Sequence, residues 1–168
     1  NAYVGIIGLG YVGLPLAITF AESGFNVLGI DIDKKKIDCI NGFKSYINHI
    51  ANEKIENLVK RKKLQVTNEF KKVKKLDAII ICLPTPLNNH REPDLSYIIN
   101  TMKIIKPYFR EGQILSLEST TYPGTTKEEL LPFIEDTRFK IGKNYFLIYS
   151  PEREDPGNKK FPTYNIPK

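Results

Sequence analysis

The chain has 168 residues, 41% of them apolar and 26% charged, with 25 basic against 19 acidic side chains and a formal net charge of +6. This is the balance of one globular domain, and it excludes a disordered or collagen-like chain, because Gly and Pro number only 11 each. The charge is basic but moderate, and its sign suits a phosphorylated ligand as well as a nucleic acid. Two cysteines, Cys39 and Cys82, form no disulfide framework and no metal spacing, which predicts a reducing, cytoplasmic setting. The uncharged stretch before Glu22 is no membrane or signal segment: it lacks a basic start and carries Gly5, Gly8, Gly10, Gly13 and Pro15. Asn1 in the place of Met predicts a chain trimmed at its front.

Tyr3–Ile7 reads as a short buried strand. A helix follows Gly13, with Pro15 at an early position, Leu16, Ala17, Phe20 and Ala21 at helical spacing, and Gly24 closing it. Residues 26–31 form a second strand, and a strand–helix–strand unit with an apolar crossover implies parallel pairing. A short helix from about Asp33 to Asn41, an irregular stretch to His49, a helix with Ile55, Leu58 and Val59 on one face, and a strand at Leu64–Thr67 come next. Residues 77–83 are apolar throughout after Asp77, as a central parallel strand buried on both faces must be. Beyond a proline-rich loop from Pro84 to Pro93, Asp94 caps a helix striped by Leu95, Ile98, Ile99, Met102 and Ile105. Strands follow at residues 113–118 and 145–149. Between them lies a helix with capping-box spacing at Thr126 and Glu129, shortened by Pro132.

This alternation predicts a doubly wound, Rossmann-like α/β parallel sheet, whose ligand sits beyond the carboxyl ends of the strands. Those ends are Gly8–Gly13, Asp31, Pro84–Pro86, Ser119–Gly124 and Ser150–Asn158, and every unusual motif in the chain falls at one of them. Gly8-Leu9-Gly10-Tyr11-Val12-Gly13 is G-x-G-x-x-G. It follows a strand, opens a helix, and is followed 23 residues after its first glycine by Asp31. Gly8 permits the turn, Gly10 lets backbone approach a pyrophosphate, Gly13 lets helix and strand pack, and the helix N-terminus supplies donors. Asp31 would accept from the adenosine ribose and repel a 2′-phosphate, favouring NAD over NADP. Lys34, Lys35 and Lys36 could screen such a phosphate and pull the other way. The competing reading is a glycine-rich turn with no ligand.

Lys60-Arg61-Lys62-Lys63, with Lys71, Lys72, Lys74 and Lys75, suggests nucleic acid, but no aromatic residue interleaves the first cluster and a solvated face is the better reading. No nucleic-acid or membrane partner is expected. His49 and His90 have no second ligand at metal spacing, so no metal is assigned. Neither cysteine has the surroundings of an activated thiolate. The hydroxyls of Ser119-Thr120-Thr121-Tyr122-Pro123-Gly124-Thr125-Thr126 exceed what capping needs and suggest positioning of a ligand or a water. Ser150-Pro151-Glu152-Arg153-Glu154-Asp155-Pro156-Gly157 is either a charged surface loop or part of a site.

Taken together, GLGYVGLP, DID, CLPTP, STTYPGTT and SPEREDPGN resemble the UDP-glucose/GDP-mannose dehydrogenase family over nearly the whole chain, in its N-terminal NAD-binding domain. The SPEREDPG form is similar to the branch that oxidises UDP-N-acetylhexosamines. The UDP-glucose branch has a second Glu four positions after Glu152, where this sequence has Pro156. The resemblance implies oxidation of a sugar C6 alcohol to a carboxylate with two NAD, through a thiohemiacetal and a thioester on a cysteine. It implies that Thr120 holds the catalytic water beside the nicotinamide and that Glu152 is its general base. Asp31 and Lys36 match the ribose-binding pair, and Tyr11, Val12, Thr85 and Ser119 match other positions along the NAD site. Arg153 and Glu154, with Glu152, fall where the substrate is bound. The nucleophilic cysteine, the catalytic lysine and most of the UDP-sugar site belong to later parts of the family's chain. Cys39 and Cys82 do not match the nucleophile. The 168 residues are therefore expected to be one NAD-binding domain, cut before the last strand of its sheet, before a central helix and before the UDP-sugar domain. By itself the chain is expected to be inactive, within a parent that is a homodimer or higher. The alternatives are a UDP-glucose or UDP-N-acetylmannosamine dehydrogenase and, from another class, a non-catalytic dinucleotide-binding module.

Overall fold

Strands that are apolar on both faces must be covered on both faces, and the chain meets this demand with one sheet between two helical layers. The structure, a computed structural model, describes residues 2–87 and 91–150. Strands β1 (Tyr3–Ile7), β2 (Asn26–Ile30), β3 (Leu64–Thr67), β4 (Ala78–Ile81), β5 (Gln113–Leu117) and β6 (Tyr145–Tyr149) form one parallel sheet in the order β3-β2-β1-β4-β5-β6. The chain winds outward from β1 through β2 to β3, then returns to place β4 on the other side of β1. This reversal opens a crevice above β1 and β4, the position at which doubly wound sheets bind their ligands.

Helices α1 (Gly13–Glu22), α2 (Lys34–Asn41) and α3 (Asn52–Lys60) bury Leu14, Ala17, Ile18, Ile37, Ile40, Ile55 and Leu58 in a core with Val4, Ile6, Val27 and Leu64. Helices α4 (Ser96–Ile105) and α5 (Leu131–Glu135) contribute Ile98, Met102, Ile105 and Ile134 to a second core with Ile7, Ile79, Ile81, Leu115 and Leu117. Each Leu, Ile, Val or Met side chain among them contributes about 1.5–3 kcal/mol relative to exposure. The two cores clamp the sheet and hold the strand ends that build the crevice.

Three local features add to the sequence reading or depart from it. Phe70–Lys75 forms a 3-10 segment that fixes Val73 and Leu76 beneath the sheet. The capping box at Thr126 and Glu129 does not form. The helical start is Thr125, whose hydroxyl donates to the Tyr122 carbonyl at 2.7 Å, and Glu129 instead accepts from the Tyr122 hydroxyl at 3.1 Å. Residues 126–130 wind as a wide π turn before α5, with Pro132 at the second position of α5. Proline has no N–H and crowds the carbonyl four residues back, so the turn ahead of it opens rather than continuing as α-helix. Asp94 does act at the start of α4, its carboxylate accepting from Ser96 N–H at 2.9 Å. Of the two lysine clusters, Lys60 pairs with Glu56, and both Lys71 and Lys72 reach Glu69.

Candidate functional site

A cavity of about 580 Å³ opens at the carboxyl ends of β1, β2, β4 and β5. Its wall contains Gly8, Gly10, Tyr11 and Val12 from the glycine loop, Asp31 and Lys36 from the start of the next crossover, Thr85 from the loop after β4, and Ser119 and Thr120 from the loop after β5. The structure thus brings nine of the sequence-predicted residues to one crevice, from segments as far apart as residues 8 and 120.

The three glycines of the loop do different work. Gly8 sits at φ 93°, and its N–H donates to the Ile30 carbonyl at 2.8 Å, turning the chain sharply off β1. A Cβ on Gly13 would stand 1.8 Å from the Gly8 carbonyl oxygen, so the helix can pack this close only with glycine there. A Cβ on Gly10 would meet nothing within 4 Å, so the protein's own packing leaves that space open, on the cavity wall. Helix α1 begins beside it with no side-chain cap and no acidic residue in its first turn. Leu14 N–H and Leu16 N–H donate to the Gly10 and Val12 carbonyls at 3.1 Å each and Pro15 has no N–H, so what the helix start offers an anion is the partial positive charge of its dipole, with no acid or side-chain cap to offset it. The contrast is α2, where the Asp33 carboxylate accepts from Lys35 N–H at 2.9 Å.

Asp31 lies one residue beyond β2 and is only 6% exposed. Its carboxylate accepts from Leu9 N–H at 2.8 Å, from Asp33 N–H at 2.8 Å and from the Lys36 ammonium at 3.0 Å. Leu9 is held on its other side by Tyr46, whose hydroxyl donates to the Leu9 carbonyl at 2.6 Å. Burial, with Asp31 and Asp33 nearby, raises the Tyr46 phenol well above its ordinary pKa, so it keeps its proton and remains a donor.

Across the crevice, Ser119 spends its hydroxyl on Leu83, donating to the carbonyl at 2.7 Å and accepting from the N–H at 3.0 Å. Thr85 donates to the Thr120 carbonyl at 2.6 Å. These bonds tie the loops after β4 and β5 together and fix the Thr120 backbone, leaving the exposed Thr120 side chain on the cavity wall. The hydroxyl surplus read from the sequence is therefore divided: Ser119 and Thr125 serve the backbone, and Thr120 lines the cavity.

The sequence reading missed Ile32, Leu83, Tyr97 and Glu118 as cavity residues. Ile32 is 75% exposed directly after Asp31, and Tyr97 is 46% exposed on α4 beside its apolar stripe. Both offer exposed apolar surface on the cavity wall near Asp31. Glu118 carried one signal, a charged residue ending a buried strand. Glu152, Arg153, Glu154 and His90 lie outside the described residues. His49 is exposed, and among the described residues no three His, Cys, Asp or Glu side chains gather as a metal site. Cys82 is buried and lines the cavity, while Cys39 is half-buried on α2. Among the described residues no helix is long and apolar enough to cross a membrane.

Residues 2–168 match the model of the UDP-glucose/GDP-mannose dehydrogenase family, NAD binding domain. The chain is 39% identical over 167 residues to a UDP-N-acetyl-D-glucosamine 6-dehydrogenase of Salmonella typhi, covering 98% of this chain and 38% of that protein. It is 36% identical over 159 residues to a UDP-N-acetyl-D-mannosamine dehydrogenase of Pyrococcus horikoshii, covering 92% and 37%. Among solved structures, the UDP-N-acetyl-mannosamine dehydrogenase of S. aureus superposes with a TM-score of 0.86 at 34% identity, over 93% of this chain and 38% of that one. The chain thus spans about two fifths of the length of these relatives. An uncapped glycine-loop helix, an acid at the end of β2 and the six-strand order are what a bound NAD requires, and the residues fit it. With the match running from end to end of the same fold, the chain belongs to the UDP-glucose/GDP-mannose dehydrogenase family, as its NAD-binding domain.

Proposed function

We propose that this domain serves a nucleotide-sugar 6-dehydrogenase that oxidises the C6 alcohol of a UDP-N-acetylhexosamine to the uronate with two NAD. One observation carries the reading: a single crevice runs from the acid Asp31, past the open Gly10 and the uncapped α1, to Ser119 and Thr120. NAD bound there supplies the hydride acceptor. Asp31, steadied by Lys36, accepts hydrogen bonds from the adenosine ribose. The positive end of the α1 dipole and the open space at Gly10 receive the pyrophosphate, and Tyr11, Val12, Thr85 and Ser119 shape the remaining length. Thr120 holds a water for the second half of the reaction, and Glu152 takes its proton. Four electrons leave the sugar as two hydrides, and that water supplies the second carboxylate oxygen. Arg153 and Glu154, with Glu152, contact the substrate.

The substrate class rests on the SPEREDPG loop and on relatives named for N-acetylhexosamine substrates, both glucosamine and mannosamine. N-acetylglucosamine and N-acetylgalactosamine are the favoured sugars; UDP-N-acetylmannosamine and UDP-glucose remain the alternatives. The nucleophilic cysteine belongs to a part of the parent outside these residues, so the chain alone is expected to bind NAD and oxidise no UDP-sugar. The parent is read as a cytoplasmic homodimer or higher oligomer.

The test is turnover of UDP-N-acetylglucosamine, UDP-N-acetylgalactosamine, UDP-N-acetylmannosamine and UDP-glucose by the full-length protein. The expected result is two NADH per N-acetylhexosamine. Preference for UDP-glucose overturns the branch, and no NADH from any sugar overturns the enzyme reading. Glu152→Gln should slow thioester hydrolysis more than the first hydride transfer and leave a covalent sugar adduct visible by mass spectrometry. The result to the contrary is equal slowing of both steps with no adduct.

A further inference from the structure

Glu118 stands one residue beyond β5, 7% exposed, on the wall of the cofactor cavity. Its position is fixed from two directions. Its N–H donates to the Ile81 carbonyl at 2.9 Å, and its Oε1 accepts from the Ser116 hydroxyl at 3.0 Å. Asp31, the acid at the opposite end of the crevice, follows β2. The strand order puts β1 and β4 between β2 and β5, so the two acids are separated by three strand spacings, about 14 Å. A dinucleotide whose adenosine ribose meets Asp31 and whose pyrophosphate crosses the glycine loop has its other base at the β4–β5 end, where Glu118 is.

That other base changes charge in the reaction. The oxidised nicotinamide ring is a cation and the reduced ring is neutral. A carboxylate held in a largely buried wall interacts with the first far more than with the second, because low local polarisability leaves the charge poorly screened. We propose that Glu118 makes this site discriminate between the oxidation states of its cofactor, lowering the affinity for NADH relative to NAD. Glu118 is thus a cofactor-selecting residue, distinct from the water-handling roles of Thr120 and Glu152. The discrimination rests only on NAD binding. Its use rests on the proposed reaction: two successive oxidations require NADH to leave and NAD to enter while the half-oxidised sugar stays bound, and a site biased against NADH favours that exchange.

The experiment measures dissociation constants for NAD, NADH and ADP-ribose in the wild-type full-length protein and in Glu118→Gln, with no sugar present. Glutamine keeps the volume and the acceptor for Ser116 but not the charge. The expected result is an approximately tenfold fall in the ratio of the NADH to the NAD dissociation constant, with ADP-ribose, which lacks the nicotinamide, changed by less than about twofold. Equal weakening of all three ligands assigns Glu118 a purely structural role and overturns the proposal. So does an unchanged ratio. Glu118→Ala is measured in parallel, and the fall in ratio must appear in whichever variant folds. Because no sugar takes part, failure here leaves the substrate reading standing, and failure of the sugar panel leaves this one standing.

Discussion

The carboxylate of Asp31 accepts a hydrogen bond from the backbone N–H of Leu9, 22 residues earlier in the chain, at 2.8 Å. The acid at the end of β2 therefore holds the glycine loop as well as facing the cavity. Leu9 itself is fully buried, and a Cβ on Gly29 would approach its Cδ2 to 2.8 Å, so loop and strand are packed as one body. The proposed pyrophosphate and ribose sites are mechanically joined through this one residue.

The chain should bind NAD at least about tenfold more tightly than NADP, because a 2′-phosphate brought to Asp31 meets a fixed, largely buried carboxylate. Lys36 is already engaged with that carboxylate, which reduces what it can offer a phosphate. Titration calorimetry with both cofactors decides the matter. Equal or tighter NADP binding would mean that Lys34 and Lys35 outweigh Asp31.

Gly10→Val and Gly13→Val should fail differently. The space around Gly10 is open, so the valine variant should fold with near wild-type stability and lose NAD binding by blocking the approach of the pyrophosphate. At Gly13 the new Cβ would overlap the Gly8 carbonyl, and a loss of about 3 kcal/mol or more is expected. Thermal unfolding and NAD titration on both variants separate the outcomes. Normal NAD binding by Gly10→Val would reduce the loop to a structural turn.

Tyr46→Phe removes the bond to the Leu9 carbonyl and leaves the ring in place. The expected cost is about 1 kcal/mol of folding stability, read as a fall in melting temperature, and a weaker NAD affinity beside it would show that the bond also positions the loop. Unchanged NAD affinity would show that Asp31 alone fixes the loop.

Asp77 gives the clearest dependence on pH. Its carboxylate accepts from Tyr3 N–H at 2.7 Å and from Arg110, and these partners, Tyr3 first, hold its pKa below the ordinary aspartate value. A carboxyl depressed in the folded state stabilises the fold above its unfolded pKa, near 4, and loses that contribution as pH falls through the folded value. The side chain is 48% exposed, so its worth is about 1 kcal/mol after screening. Asp77→Asn should therefore be less stable than wild type at pH 7, and the gap should close as pH falls below the ordinary aspartate range. A gap that persists in acid would assign the effect to packing.

Local chemistry made much of this fold legible in the sequence. Apolar runs of strand length, helical stripes such as Ile98, Met102 and Ile105, and a glycine fingerprint followed by Asp31 each depend on neighbours within a few residues. They named six strands and most of the crevice's wall. The bonds that make the crevice a rigid site join distant segments: Leu9 to Asp31, Tyr46 to Leu9, Ser119 to Leu83, Thr85 to Thr120. No periodicity encodes such pairs, because they exist only once the sheet has set β1 between β2 and β4, and β4 beside β5. The same holds for Ile32 and Tyr97, whose positions in the chain are unremarkable until the strand order brings them to one cavity, and for Glu118, whose charge at a strand end names no partner until then. The capping box at Thr126 shows the converse: a correct local signal was overridden, because Pro132 widened the turn and Tyr122 took Glu129 for itself. Sequence determined the elements and the chemistry at their ends, and the long-range pairing of parallel strands alone decided which of those ends share one site.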